Sequence, residues 1–235
     1  MTANSAWANH DPKCISDIVF ASTRNKQLLE DIVSGEKPFP WSGKNGILLY
    51  GVRGTGKSSL ARILPNAIEA GKTGADSWAH VTAIQNESHG KIVLGNIDIN
   101  SMLVTVFSAS HHYFVLDEVD LIGKTGMSAL KSLMDRPNNI FIFATNNFSQ
   151  ISDPVKDRCH CIEFNAAPPV NWLPAVKKML SASGVQSAND ATLLAAIAPC
   201  NGSARQIVDV VTDIIIQWNQ RRSPVTTSAP TPVIK

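Results

Sequence analysis

The sequence predicts an α/β fold: a mainly parallel, five-stranded sheet with helices on both faces, followed by a small α-helical lid domain. Three observations predict it. Short apolar runs alternate with stretches of helical spacing through residues 16–166, the pattern of strand–helix crossovers. A glycine-rich turn follows the first apolar run and opens a helix. From "AAPP" at 166–169 onward the strands stop and only helical spacing continues.

Each element has a local reason. "STRNKQLLEDIVSG" has Ser22 or Thr23 as a cap, Leu28, Leu29, Ile32 and Val33 as a stripe, and Gly35 as a stop, so it reads as an amphipathic helix. "EKPFPWSGKNG" is a turn-rich connector. "ILLY" at 47–50 is a short buried strand. A helix runs from Gly56 or Lys57 through "SSLARIL", with Pro65 ending or kinking it. "AHVTAI" is a strand, and "NIDINSMLVTVFSAS" at 96–110 reads as a helix despite its β-branched residues. "HYFVL" is a strand, "GMSALKSLMD" a helix, and "NIFIFAT" and "HCIEF" are strands. Three helices follow, in "VNWLPAVKKMLSASG", "ANDATLLAAIAPCNG" and "SARQIVDVVTDIIIQWNQ". The expected division is a flexible arm at 1–15, a core at 16–166, a lid at 167–220 and a disordered Pro- and Thr-rich tail at 221–235.

Composition narrows the function classes. The 235 residues suffice for a sizeable core, and 44% apolar with 17% charged residues is a globular balance. A net charge of +2 excludes a heavily basic nucleic-acid coat but leaves a local DNA-binding surface open. No apolar run is long enough to span a bilayer, and the start lacks the basic-then-apolar pattern of a secretory leader. A cytoplasmic setting without membrane partners is expected. Its four cysteines then read as reduced structural thiols. "CHC" at 159–161 is a poor zinc site, since adjacent strand residues face opposite ways and no second ligand pair follows.

"GVRGTGKS" matches the phosphate-binding G-x-x-x-x-G-K-S without a mismatch. The expected nucleotide contacts are Gly51, Val52, Arg53, Gly54, Thr55, Gly56, Lys57, Ser58 and Ser59. The glycines let the backbone turn with positive φ and approach phosphate closely. The amides and the helix N-terminus then favour negative charge. Lys57 would neutralise the β- and γ-phosphates of ATP, and the Ser58 hydroxyl would ligate Mg²⁺. "YFVLDEVD" ends an apolar strand in two acids. Asp117 would hold Mg²⁺ through water, and Glu118 would polarise the attacking water as general base. Asp120 reads as structural or capping. "FIFATNN" ends in Thr145, Asn146 and Asn147, where an amide could orient water or contact the γ-phosphate, or serve turn chemistry.

Together, "GVRGTGKS", "VLDEVD", "FATNN", "DRC" and "GSAR" resemble, in order, the motifs of the AAA+ ATPases, a P-loop NTPase family. The likeness covers about residues 15–215 and is greatest to the clamp-loader branch, the small subunits of replication factor C and their bacterial counterparts. It implies an adenine-side box at "DIVF", with Ile18 and Val19 against the base. It implies Asn146 as first sensor, Arg158 as an arginine finger entering a neighbouring subunit's site, and Arg205 as second sensor. A planar, permanently charged guanidinium suits a transferring phosphoryl group. Three departures stand out: Asp157 replaces the family's serine before the finger, where an acid could restrain or partly neutralise Arg158; Lys131 replaces a DNA-facing arginine; and no collar domain is expected after the lid.

The expected partners are like subunits, in a homo-oligomeric ring or spiral, or related AAA+ chains in a hetero-oligomer. The expected function is a loader or matchmaker in DNA replication, repair or recombination. The alternative is a remodelling or signalling ATPase acting on a protein client in a mobile-element or defence system. For direct DNA contact the candidates are Lys124, Lys131, Arg136, Arg221 and Arg222. "IGKTGM" at 122–127 could be a pore-side or partner-facing loop.

Overall fold

The computed structural model describes residues 11–74, 76–77, 79–102, 109–185 and 189–222. The strands are β1 (Gly46–Tyr50), β2 (Ala79–Ala83), β3 (His112–Asp117), β4 (Asn139–Thr145) and β5 (Cys159–Glu163). They form one sheet in the order β2-β3-β4-β1-β5, with every pairing parallel. A parallel sheet is covered on both faces, and each strand alternates its side chains between them. Ile47 and Leu49 of β1, Tyr113 and Val115 of β3, and Ile140 and Ile142 of β4 face one side. There they meet α1 (Thr23–Ser34) and α2 (Lys57–Thr73). Leu48, Phe114, Leu116, Phe141 and Phe143 face the other side. They meet α3 (Glu87–Asn100) and α4 (Gly123–Met134). A short α5 (Asp153–Asp157) leads into β5.

The lid consists of α6 (Pro169–Ala182), α7 (Asp190–Ile197) and α8 (Ala204–Arg222). Its own core holds Trp172, Val176, Leu180, Leu193, Ile197, Ile207, Val211 and Ile215. The segment at 18–20 joins the two parts: Ile18 packs on the core and Val19 on the lid. Asn171 of α6 donates to the Phe20 carbonyl at 3.0 Å. Among the described residues no helix is long and apolar enough to cross a membrane.

Four local expectations need correction. Pro65 does not end its helix, and α2 runs on to Thr73. Leu60, Ala61, Leu64 and Ile68 are all buried against the sheet, and that burial outweighs the one backbone hydrogen bond a proline forfeits. The helix expected at 96–110 begins instead at Glu87, where the Asn86 side chain accepts the His89 N–H. Gly90 and Gly95 masked this start in the sequence; residues 103–108 lie outside the described residues. "IGKTGM" is not a loop. Ile122 ends the short turn before α4 and the rest is the first turn of α4, with Ile122, Gly126 and Met127 buried. The last helix reaches Arg222, two residues past the expected boundary, and 223–235 lie outside the described residues.

Candidate active site

The glycine-rich turn joins β1 to α2 at the carboxyl edge of the sheet. Gly54 and Gly56 adopt left-handed φ values of 79° and 100°, which a side chain would strain. Lys57 is 6% exposed. Its ammonium donates to the carbonyls of Val52 at 2.6 Å and Gly51 at 3.0 Å. It forms no ion pair with the described residues. Burial pulls its pKa below the usual lysine value, Asp117 opposes that, and Arg53 adds to it. A buried cation held only by carbonyls, beside first-turn amides that lack intrahelical acceptors, is a cradle for an anion. Thr55 braces the turn by donating to the carbonyls of Val52 and Phe164, each at 3.1 Å.

Asp117 ends β3, and Thr145 ends the adjacent β4. The Asp117 carboxylate accepts the Glu118 N–H at 3.1 Å. Glu118 is exposed and left-handed, with φ 54° and ψ 41°. That conformation is uncommon for a residue other than glycine and is found at functional sites. Asp120 is 8% exposed. It accepts from the Thr145 hydroxyl at 2.6 Å and the Asn147 amide at 2.7 Å.

These elements open onto one cleft of about 1240 Å³ between core and lid. It exceeds the ~300–1,000 Å³ of ordinary small-ligand pockets. Residues 53–59, Asp117, Glu118, Asn146, Ile18, Val19 and Arg205 all line it. Gly51 and Val52 do not. Gly51 lies against the Phe164 carbonyl, where a Cβ would come within 2.7 Å, and Val52 is 53% exposed. Both act through their carbonyls on Lys57. The lid is anchored to the loop itself, since the Ala204 N–H donates to the Gly54 carbonyl at 2.7 Å. Arg205, in the first turn of α8, is exposed to the cleft and makes no hydrogen bond or ion pair with the described residues. Lys178 of α6 pairs with Asp17 at 2.6 Å. That bond, with the Lys13 N–H, holds the Asp17 carboxyl well below the usual carboxylate range.

The hard oxygen ligands Mg²⁺ prefers are available from Ser58 and Asp117, which share the cleft wall. The cationic cradle, the glycine backbone and the paired acids fit a magnesium nucleotide.

Arg158 lies elsewhere. It precedes β5, whose first residue pairs with Gly46 at the start of β1, so it sits at the amino edge of the sheet. The five residues of β1 separate that edge from the loop by roughly 16 Å at ~3.3 Å per residue. Arg158 cannot serve its own cleft. Its Nε and Nη2 both reach Asp135 Oδ1 at 2.8 Å, and Nη1 donates to the Pro154 carbonyl at 3.0 Å. The restraining acid is therefore Asp135, not the neighbouring Asp157. Nothing in the sequence marks Asp135, which lies in no motif and 23 positions away.

Of the DNA-contact candidates, Lys124 and Lys131 lie two turns apart on α4. Arg136 is engaged internally: it pairs with Asp98 and donates to Ser101 Oγ at 2.8 Å. The Asp17–Lys178 and Asn171–Phe20 links were not legible from spacing, since they join positions 161 and 151 residues apart.

A parallel sheet with a phosphate-type loop, two acids on the neighbouring strand and a helical lid define a P-loop nucleotide-binding protein. The chain belongs to the ATPase family associated with various cellular activities (AAA), whose family model matches residues 47–166, just over half of it. It is similar to the replication factor C large subunit of Methanosarcina mazei, with 24% identity over 195 residues, 80% of this chain and 30% of that protein. It is similar also to the DNA polymerase III subunit gamma/tau of Mycobacterium tuberculosis, with 25% identity over 191 residues, 72% of this chain and 32% of that one. The chain thus spans about a third of the length of these relatives. Its fold matches the Thermotoga maritima RuvB Holliday junction branch migration motor, with a TM-score of 0.65 at 17% identity, over 90% of this chain and 72% of that one. This is an AAA+ ATPase related to clamp-loader components.

Proposed function

We propose that this chain binds ATP with Mg²⁺ in the cleft between core and lid, and hydrolyses it at subunit interfaces of an oligomer. One observation carries the reading. The cleft collects residues 53–59, Asp117, Glu118, Asn146 and Arg205, while Arg158 lies at the opposite edge of the sheet. A complete site then needs Arg158 from a second subunit.

Lys57 and the loop amides hold the phosphates, and Ile18 and Val19 face the base. Ser58 and Asp117 hold the Mg²⁺, which screens the phosphate charge when bound. Glu118 takes the proton of the attacking water, and Asn146 orients that water. Arg205 contacts phosphate from the lid and so couples lid position to nucleotide. Arg158 of the adjoining subunit offsets the charge of the transferring phosphoryl group.

The similarity to replication factor C and gamma/tau supports a loader or matchmaker role in DNA replication, repair or recombination. The test is the steady-state ATPase rate with and without Mg²⁺, and with single-stranded, duplex and primed DNA. Lys57→Ala is expected to abolish tight ATP binding, and Glu118→Gln to bind ATP but hydrolyse it slowly. Normal hydrolysis by Glu118→Gln would overturn the assignment of the acids. A rate indifferent to every DNA would favour a protein client.

A further inference from the structure

We propose that Asp120 is a positioning residue for hydrolysis, setting the end of β4, and with it Asn146, relative to Glu118. The proposal rests on the ATPase reading above. Asp120 does not line the cleft, whereas Glu118, Thr145 and Asn146 do. It therefore touches no nucleotide and acts through its neighbours.

Those neighbours flank Asn146 on both sides. The Thr145 hydroxyl donates to Asp120 Oδ1 at 2.6 Å, a short charge-assisted bond, and accepts the Asn147 N–H at 2.9 Å. The Asn147 amide donates to Asp120 Oδ2 at 2.7 Å. Each carboxylate oxygen thus holds one neighbour of Asn146. The other end of the link is as constrained. Asp120 lies in the Val119–Ile122 turn that begins directly after Glu118. Left-handed backbone is strained for a residue other than glycine, so Glu118 needs its surroundings to enforce it. The turn is closed by the Leu121 N–H on the Glu118 carbonyl at 3.0 Å and tied to β4 through Asp120. Thr145 is 1% exposed and Asp120 8%, so the bond between them is buried and bulk water cannot replace either partner, whereas the Asn147 arm lies nearer the surface. Base and water-orienting amide are therefore registered to each other by one carboxylate.

The experiment compares Asp120→Asn, Thr145→Val and their double variant with wild type, at a protein concentration where activity has reached its plateau. Both changes are close to isosteric. The first turns one acceptor into a donor facing a donor, and the second removes the hydroxyl. Each is expected to lower kcat at least about tenfold while the KM for ATP moves less than about threefold, because the phosphate cradle is untouched. The double variant is expected to be no slower than the slower single, because the two act as one unit. Asn147→Ala, at an exposed residue, is the arm least able to perturb folding and is expected to cost kcat about threefold. Unchanged kcat in the folded variants, a rise in KM with kcat intact, or additive losses would each overturn the positioning role. Wild-type protein without ATP hydrolysis would overturn the function reading instead.

Discussion

Arg158 and Asp135 are joined by a hydrogen bond from Nε and an ion-pair contact from Nη2, which converge on a single carboxylate oxygen at 2.8 Å each. The arginine that would complete a neighbour's site is held by its own subunit. A γ-phosphate must compete with Asp135 for the same guanidinium. Asp135 is about half exposed, its side chain at 52%, so the pair contributes about 1 kcal/mol at most. That equals a factor of about five in an equilibrium. Asp135→Asn is therefore expected to lower the protein concentration at half-maximal ATPase by roughly two- to fivefold, with little change in the plateau rate. An unchanged or raised midpoint would show that Asp135 presents the arginine rather than restrains it.

Shared-site hydrolysis makes a second, larger prediction. Arg158→Ala leaves its own cleft intact and should bind ATP normally. Its hydrolysis should fall by about 10³–10⁵, the range reported for arginine fingers. Mixed with Lys57→Ala, it should recover part of the activity, because one interface then pairs an intact cradle with an intact finger. Wild-type specific activity should rise with protein concentration and plateau. No recovery at any mixing ratio, with both proteins folded and wild-type activity independent of concentration, would rule out a shared site.

The sheet and the loop were legible because their causes are local. Ile47, Leu48 and Leu49 alternate between two buried faces, and such a run is apolar throughout. The loop requires particular residues at fixed spacing, so "GVRGTGKS" stands out on its own. That the helix runs on past Pro65 was not legible, because helix propensity is local whereas the burial of Leu64 and Ile68 is tertiary. Asp135 was invisible for the same reason: the residue that holds Arg158 is chosen by the meeting of α4 with the α5–β5 junction. Asp120 was legible as structural, but not as the bridge between Glu118 and β4.

Gly54 links the loop to the lid. Its φ is 79°, its carbonyl accepts the Ala204 N–H, and a Cβ there would lie 2.8 Å from Ser203 Oγ. Gly54→Ala adds roughly 1–2 kcal/mol of backbone strain and pushes on the start of α8. The binding-competent fraction falls accordingly, and ATP affinity is expected to drop by about five- to thirtyfold. Arg205→Ala should weaken binding too, but without the strain. Limited proteolysis at the core–lid connection separates them: in Gly54→Ala cleavage should be faster even without nucleotide. Equal affinity and equal cleavage in Gly54→Ala and wild type would contradict the coupling.

Burial lowers the pKa of three histidines, His80, His111 and His160, which makes stability sensitive to acid, and two of them carry large shifts. Burial lowers the pKa of His111 to about 4, with Lys72 and His112 acting in the same direction and Glu69 against them. Burial likewise lowers His160 to about 4, helped by Lys37 and Lys44. The ordinary value is about 6.5. Between pH ~6.5 and ~4 the unfolded chain therefore binds protons that the folded chain does not. Stability then rises with pH across that window and falls as pH drops through it. Below about pH 4 both states are protonated at these positions and their contribution levels off. The lowered carboxyls of Asp17 and Glu69 act in a separate, more acidic window, below their ordinary values. Urea unfolding midpoints are expected to decline steadily from pH 7 to pH 4.5. His111→Gln and His160→Gln should each flatten that decline, because a neutral amide has no proton to bind. A midpoint constant over this range in wild type, or a decline unchanged in both variants, would assign the acid sensitivity to other groups.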